Sequence, residues 1–205
     1  MTNPSVTQSE IDAASAALQQ ATEGLTEIDL TQVITITDKY LSASTKTTLG
    51  VTGELTLGDM YNLTTLTSET ERARSLEGLQ YAKNLETLDI TGNEITDFSP
   101  LQGLTKLTSL LADPQVVEVG GLKGPVVEWT NPVKGLDGSK VIPNSAGVRN
   151  TGTSKEIMFD MNEWAANPDV FTIDLSNEEK GTYMLGLTYQ VAGNLVQLIS
   201  FIDNN

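Results

Sequence analysis

Acidic side chains are the first residues of this chain to weigh as chemistry. Asp89, Asp97, Asp113 and Glu118 would have to act in pairs for glycoside hydrolysis, which needs two carboxyl groups at a set separation across the scissile bond. Each of them stands at a repeat or turn position that polar residues fill for structural reasons, so solvated surface is the expected role. A calcium loop would show alternating acids around a central glycine, and residues 174–179 have neither. The pair Gly120-Gly121 is not followed by a lysine and a serine or threonine in phosphate-loop register. The chain has no histidine and no cysteine. That removes thiol nucleophiles, disulfides, the usual zinc sites and every histidine-based acid–base triad. No catalytic residue, metal site or cofactor is therefore assigned. Trp129 and Trp164 could be ligand platforms, but the commoner fate of an aromatic on a strand is burial in the core.

Charge narrows the partners. With Lys+Arg 12 against Asp+Glu 27 the net charge is -15, and no basic cluster exceeds Arg72 and Arg74, so nucleic acid is excluded as a partner. Residues 1–9 are polar and do not read as a signal segment. The long uncharged run at residues 181–202 is too rich in Thr, Gln, Asn and Ser for a membrane span. Leu185, Leu187, Tyr189 and Val191 alternate as in a half-buried strand, which predicts a hairpin through Gly193-Asn194.

The elements that position these side chains are set by a repeat. Leu57, Leu79 and Leu101 are each 22 apart, as are Met60, Ala82 and Leu104; Leu63, Leu85 and Leu107; and Leu66, Leu88 and Leu110. The middle copy, L-E-T-L-D-I-T-G-N from Leu85 to Asn93, fits the signature of a leucine-rich repeat. One rung cannot bury its own apolar face, so rungs must stack with strands about 4.8 Å apart and be capped at both ends. Leu85, Leu88, Leu107 and Leu110 should then share one continuous core. The copies degrade outward: Ile90 becomes Ala112 and Ser68, and Asn93 becomes Gln115 and Glu71. The outer copies read as cap rungs.

The run S-L-E-G-L-Q-Y-A-K-N-L-E-T-L-D-I-T-G-N-E-I-T-D-F-S-P-L-Q-G-L-T-K-L-T-S-L resembles the 22-residue repeats of internalin-type surface proteins of Gram-positive bacteria. Upstream, Q-V-I-T-I suggests a short strand, Asp38 can cap a helix towards Leu49, and Thr56-Leu57-Gly58-Asp59 opens another. This order is similar to the helical cap of that family. Farther upstream, Thr7-Gln8-Ser9-Glu10 is a capping box before a stripe of Ile11, Ala14, Leu18, Ala21 and Leu25. That helix resembles the last helix of a FIVAR-type module; the alternative is a helix packing on the repeat cap. Downstream, the chain reads as helix-free, with strands at residues 126–129, 156–161, 170–175, 183–191 and 195–202. The segment W-T-N-P-V-K-G-L-D-G-S-K-V-I-P resembles the start of the immunoglobulin-like domain that follows internalin repeats, with I-M-F-D-M-N-E-W as a loose counterpart of a later strand. The junction Val116–Val119 is apolar enough to continue as a strand, which predicts that repeats and sandwich form one rigid rod.

The expected fold is α+β: a short leucine-rich repeat solenoid with a helical N-terminal cap, followed by an immunoglobulin-like β-sandwich. The expected divisions are an N-terminal helix at 1–28, cap and about three rungs at 29–118, and the sandwich at 119–205. The resemblance implies a monomeric, non-enzymatic adhesion or protein-binding module, secreted or attached to the cell wall, whose partner is a protein such as a host surface protein. Thr65, Thr67, Thr87, Asp89, Thr91, Ser109, Leu111 and Asp113 would project from the concave strand face, where longer family members bind protein ligands. The alternatives are a structural spacer that displays other domains and a glycan-processing enzyme.

Overall fold

The computed structural model describes residues 7–23, 28–69, 72–118 and 120–205, and the chain divides into two compact units, Met1–Leu30 and Thr31–Asn205. The first unit holds helix α1, Gln8–Glu23. Its start is fixed by the expected capping box: the Thr7 amide donates to Glu10 Oε2 at 2.8 Å, and the Glu10 amide donates to Thr7 Oγ1 at 3.4 Å. Of its apolar stripe, the side chain of Ala21 and all of Leu25 lie outside the described residues.

The second unit opens with a small two-stranded ladder and two helices. Strand β1, Val33–Ile34, pairs antiparallel with β2, Leu55–Thr56. Between them runs α2, Lys39–Leu49, which starts where Asp38 Oδ1 accepts from the amides of Tyr40 (2.9 Å) and Leu41 (3.1 Å). It stops at Gly50, whose φ of 68° is a left-handed closure that glycine adopts without strain. Helix α3, Leu57–Asn62, begins at a capping box in which the Thr56 amide donates to Asp59 Oδ2 (2.8 Å) and the Asp59 amide to Thr56 Oγ1 (3.2 Å). Ile34, Ile36, Leu41, Leu55 and Met60 of this segment are buried.

The repeat follows as a parallel sheet of β3 (Thr65–Thr67), β4 (Thr87–Asp89) and β5 (Ser109–Leu111). Leu66 stands opposite Leu88 and Leu88 opposite Leu110, so the 22-residue spacing is the register of the ladder itself. Leu66, Leu85 and Leu88 are fully buried, whereas Leu107 and Leu110 are only half-buried. Leu107 and Leu110 therefore pack against the expected common core but are not buried within it. Strand β5 ends the three-stranded sheet with no further rung stacked on it, whereas β3 at the other end is packed by α2. Buried amides tie the rungs together. Asn93 Nδ2 donates to the Ile90 carbonyl (2.8 Å) and the Ser68 carbonyl (2.5 Å), and its Oδ1 accepts from the Ala73 amide (2.9 Å). Gln115 does the same one rung later, donating to the carbonyls of Ile90 (2.8 Å) and Ala112 (2.7 Å) and accepting from the Ile95 amide (2.9 Å). The Asn-to-Gln change therefore preserves the rung-to-rung link.

The remaining elements are β6 (Gln115–Glu118), β7 (Leu122–Lys123), β8 (Val126–Thr130), β9 (Ser145–Asn150), β10 (Glu156–Met158), α4 (Met161–Ala165), β11 (Val170–Asp174), β12 (Gly181–Val191) and β13 (Asn194–Asn204). A six-stranded sheet runs in the order β10-β9-β12-β13-β6, with β7 also beside β13; β6 and β7 are parallel to β13 and the other pairs antiparallel. A second sheet pairs β8 with β11. Tyr183, Leu185, Leu187 and Tyr189 of β12 join Val127, Trp129, Phe171 and Ile173 of the smaller sheet in one buried cluster. The hairpin after β12 turns through Ala192 and Gly193, both at positive φ, and closes on the pair Val191–Asn194.

Two expectations for this region are corrected. The strand read at 156–161 ends at Met158, and the region is not helix-free, because Asp160 accepts from the Asn162 amide (2.9 Å) and caps α4. The loop of residues 131–141 also returns to the repeats. The Lys134 amide donates to the Thr96 carbonyl (2.9 Å) and the Phe98 amide to the Lys134 carbonyl (3.1 Å); apart from this loop, the start of β13 also meets the repeats, where the Ala112 amide donates to Asn194 Oδ1 (2.9 Å). Of the junction Val116–Val119, Val119 lies outside the described residues, and the strand is Gln115–Glu118.

Candidate interaction surface

Alternation along the repeat strands sorts their side chains. Leu66 and Leu88 turn inward, and the flanking residues turn out in cross-strand rows: Thr65–Thr87–Ser109, then Thr67–Asp89–Leu111. Thr65, Thr67, Leu111 and Asp113 are exposed, with Leu111 at 52%, while Thr87, Asp89, Thr91 and Ser109 are half-buried by their neighbours. Asp89 Oδ1 accepts from the Thr91 amide at 3.0 Å, an Asx turn that fixes the carboxylate at the strand end. Glu69 lies close enough that hydrogen bonding with Asp89, and then charge repulsion from it, raises the Glu69 carboxyl above its ordinary value. The face is thus hydroxyl-rich at one end and acidic at the other, with one apolar side chain beside Asp89.

The four acids weighed as catalysts separate. Asp89 sits on the strand face, and Asp113 is exposed beyond β5. Asp97 is engaged at the joint: burial pushes its carboxyl up, but the Lys134 ammonium (Nζ to Oδ2, 2.6 Å) and the Ser99 hydroxyl and amide outweigh it and hold the acid below its usual range. Glu118 belongs to β6 in another sheet. Among the described residues, no three or more acids gather in a way that could hold a metal ion, and no helix is long and apolar enough to cross a membrane. Trp129 and Trp164 are both buried; Trp164, on α4, stacks on Phe171 with ring centroids 4.5 Å apart. The Trp129 Nε1 and the Tyr189 hydroxyl are buried in this core, and burial raises the Tyr189 phenol, an effect that the neighbouring Trp129 side chain only partly offsets. They belong to the core rather than to a cleft.

Sequence reasoning missed a cleft of about 460 Å³ at the start of α2, lined by Thr37, Asp38, Lys39, Tyr40, Arg72 and Arg74. Its two arginines share Glu94, with Nε to carboxylate distances of 3.3 and 2.6 Å. Only the adjacency of Arg72 and Arg74 hinted at it in the sequence. The shared acid neutralises part of the charge an anion would need.

Comparison with known proteins follows the same outline. Residues 83–124 match the family model described as leucine-rich repeats (2 copies). The structure of the CBM51-2 and INT domains of Clostridium perfringens ZmpB aligns over 96% of this chain and 42% of its own length, with 33% identity and a TM-score of 0.77. The structure of those domains in which CBM51-2 is in complex with GlcNAc aligns with 33% identity and a TM-score of 0.75, over 96% of this chain and 41% of that one. An internalin of Listeria monocytogenes, inlF, is 37% identical over 37% of this chain and 23% of its own, with a TM-score of 0.36. No curated protein matches the chain. Residues 83–124 are leucine-rich repeats, and nearly the whole chain is similar to the CBM51-2 and INT domain structures. It spans less than half the length of the ZmpB chains to which it is similar.

Proposed function

We propose that this chain is a non-enzymatic protein-interaction module of a secreted or wall-attached bacterial surface protein, presenting Thr65, Thr67, Thr87, Asp89, Thr91, Ser109, Leu111 and Asp113 to a protein ligand. The supporting observation is the register of β3, β4 and β5, which lays an uninterrupted outward face over the inward-facing leucines. In this reading residues 1–28, 29–118 and 119–205 are the N-terminal helix, the capped repeats and an immunoglobulin-like β-sandwich. Three strands spaced about 4.8 Å apart give a face on the order of 10 to 15 Å wide. A standard interface takes about 800 Å² from each partner. Binding through the repeats alone is therefore weak, and a tight complex also uses the neighbouring sheets. Excess negative charge favours a cationic partner and makes the association sensitive to salt.

A second reading, a spacer that displays other domains, is favoured by the joint itself. Repeats and C-terminal sheets are bound through Thr96, Phe98 and Lys134 and through Ala112 and Asn194, and similar chains continue well beyond the aligned length.

The test is a binding and turnover screen of the purified chain against host surface proteins and wall glycans at two salt concentrations. Saturable protein binding, weakened by Asp89→Lys and by added salt, supports adhesion through the repeat face. Absence of saturable binding favours the spacer reading, and binding that Asp89→Lys leaves unchanged places the ligand away from the repeat face. Turnover of a glycan, abolished by changing one acid to its amide, overturns the non-enzymatic reading.

A further inference from the structure

The fold pins Arg72, Ala73 and Arg74 in place as a short cationic segment. Ala73 is fully buried; its amide donates to Asn93 Oδ1 (2.9 Å) and its carbonyl accepts from the Glu94 amide (2.9 Å). The Arg74 amide donates to Asp38 Oδ2 (2.9 Å). With the residue between them held inward, the two arginines stand outward and come together over one acid. Arg72 Nε lies 3.3 Å from Glu94 Oε1, and Arg74 Nε lies 2.6 Å from Glu94 Oε2. The Glu94 side chain is left 12% exposed beneath them, whereas the arginine side chains are 78% and 72% exposed. Each guanidinium therefore turns its Nε to the acid and its outer fork of Nη donors to solvent.

Both arginines line the cleft at the start of α2. Lys39 lines it too, with its ammonium 4.6 Å from the centre of the Tyr40 ring, and among the described residues it makes no ion pair. Thr37 adds an exposed hydroxyl. Three cations thus meet two acids, and both acids are already engaged: Glu94 by the two Nε groups, Asp38 by the amides of Tyr40, Leu41 and Arg74. Because those first-turn amides of α2 go to Asp38, the free donors are side chains and not the helix end. The local excess is positive in a chain of net charge -15. At an ionic strength of about 0.15 M, exposed charges more than about 8 Å away are largely screened, so the cations in the cleft set the field there.

We infer that this cleft binds a tetrahedral oxyanion ester carried on a sugar, the sulfate or phosphate monoester of a hexose. Such a group presents three acceptor oxygens in different directions, which suits two guanidinium forks and an ammonium arriving from separate side chains. A planar carboxylate presents its oxygens along one edge, and a single guanidinium satisfies it. The cleft is far larger than an ion, and its volume falls in the range of about 300 to 1,000 Å³ that holds small organic ligands. Apart from the half-buried Tyr40 ring, every lining side chain is polar or charged. A body seated there must offer hydrogen-bonding groups on nearly every side, as a polyhydroxylated ring does. The site shares no residue with the repeat face, so either can fail without the other.

The experiment titrates the full chain with glucose 6-sulfate and, in a separate arm, glucose 6-phosphate at constant ionic strength, following amide and arginine Nε shifts. Saturable shifts are expected at Thr37, Lys39 and Arg74, and the tighter ester identifies the source. Lys39→Gln and Arg72→Gln should each raise Kd about tenfold. Lys123→Gln, the same change of charge on β7, should leave it unchanged. Lys39→Gln breaks no ion pair and keeps the test decisive should Arg72→Gln lose the native melting transition. Glucose should not bind, and glucuronate should bind about tenfold more weakly than the tighter ester. No saturable shift with either ester, or a Kd unchanged in both variants, overturns the inference. So does glucuronate bound as tightly as the esters, a phosphoserine peptide bound more tightly than either, or inorganic sulfate bound as tightly as the sugar esters, which would mean an adventitious ion only.

Discussion

Leu88→Ala is the sharpest test of the stacked core. Leu88 has 0% exposure and sits in the middle strand, opposite Leu66 on one side and Leu110 on the other. Losing three side-chain carbons at about 0.8 kcal/mol each gives about 2.4 kcal/mol of lost transfer energy. The ladder on both sides holds the backbone in place, so the void cannot collapse. Residual cavity brings the expected loss to about 3 to 4 kcal/mol. Leu110→Ala removes the same atoms from a half-buried site and should cost about 1 to 2 kcal/mol. Urea unfolding of both variants, with unchanged slopes, reads the two values directly. A loss below about 1 kcal/mol for Leu88→Ala, or equal losses for the two leucines, would refute the argument that burial follows stacking on both sides.

Asn93→Ala deprives the Ala73 amide and the carbonyls of Ile90 and Ser68 of their buried partner. About 3 kcal/mol should be lost in the same unfolding assay, while Asn93→Gln should recover part of it, because Gln115 makes the equivalent bonds one rung on. The Asp97 carboxyl is held below its ordinary value, so its contribution is complete above the unfolded-state value near about 4 and is lost as pH falls through the lower folded value. Unfolding followed from pH 6 downward should show a decline that Asp97→Asn reduces; an identical profile in the variant would sink the assignment. Limited proteolysis should leave Thr31–Asn205 uncut at Gly120–Gly124, where Ser200 Oγ donates to the Gly120 carbonyl (3.1 Å) and the Gly124 amide to the Asp203 carbonyl (2.9 Å). Rapid cutting there into two folded pieces would show a flexible linker instead.

What the sequence made legible was local. The 22-residue interval was the strand register, Asp38 and Thr56 were the caps their side chains suggested, and the alternation in residues 183–191 was the inward face of β12. What it hid depends on contacts distant along the chain. Lys134 meets Asp97 across 37 positions, and no spacing in either segment announces it. Leu107 and Leu110 carry the same pattern as Leu85 and Leu88, but burial is set by what stacks beyond β5. The strand β9 was missed because Gly147 and Asn150 dilute its alternation of Ala146 and Val148. Helix α4 was missed for the opposite reason: Ile157 and Phe159 alternate like a strand, although Asp160 was a readable cap. On the outer sheet face, Met158 and Gly186 sit 28 positions apart and come into one cross-strand row only through Gly147 of β9.

The parallel pairing of β6 with β13 has a mechanical meaning. A pull transmitted from the repeats draws β6 back along its own direction, while a pull on the opposite end of this unit draws β13 forward along the same direction. The two strands then slide past one another, and the contacts from Val196–Gln115 to Ile199–Glu118 bear the load together instead of opening one at a time. Unzipping geometry, in which hydrogen bonds break in sequence under low force, is avoided at this seam. A chain held at one end and dragged from the other would meet its resistance where the last repeat becomes a strand of the sheet.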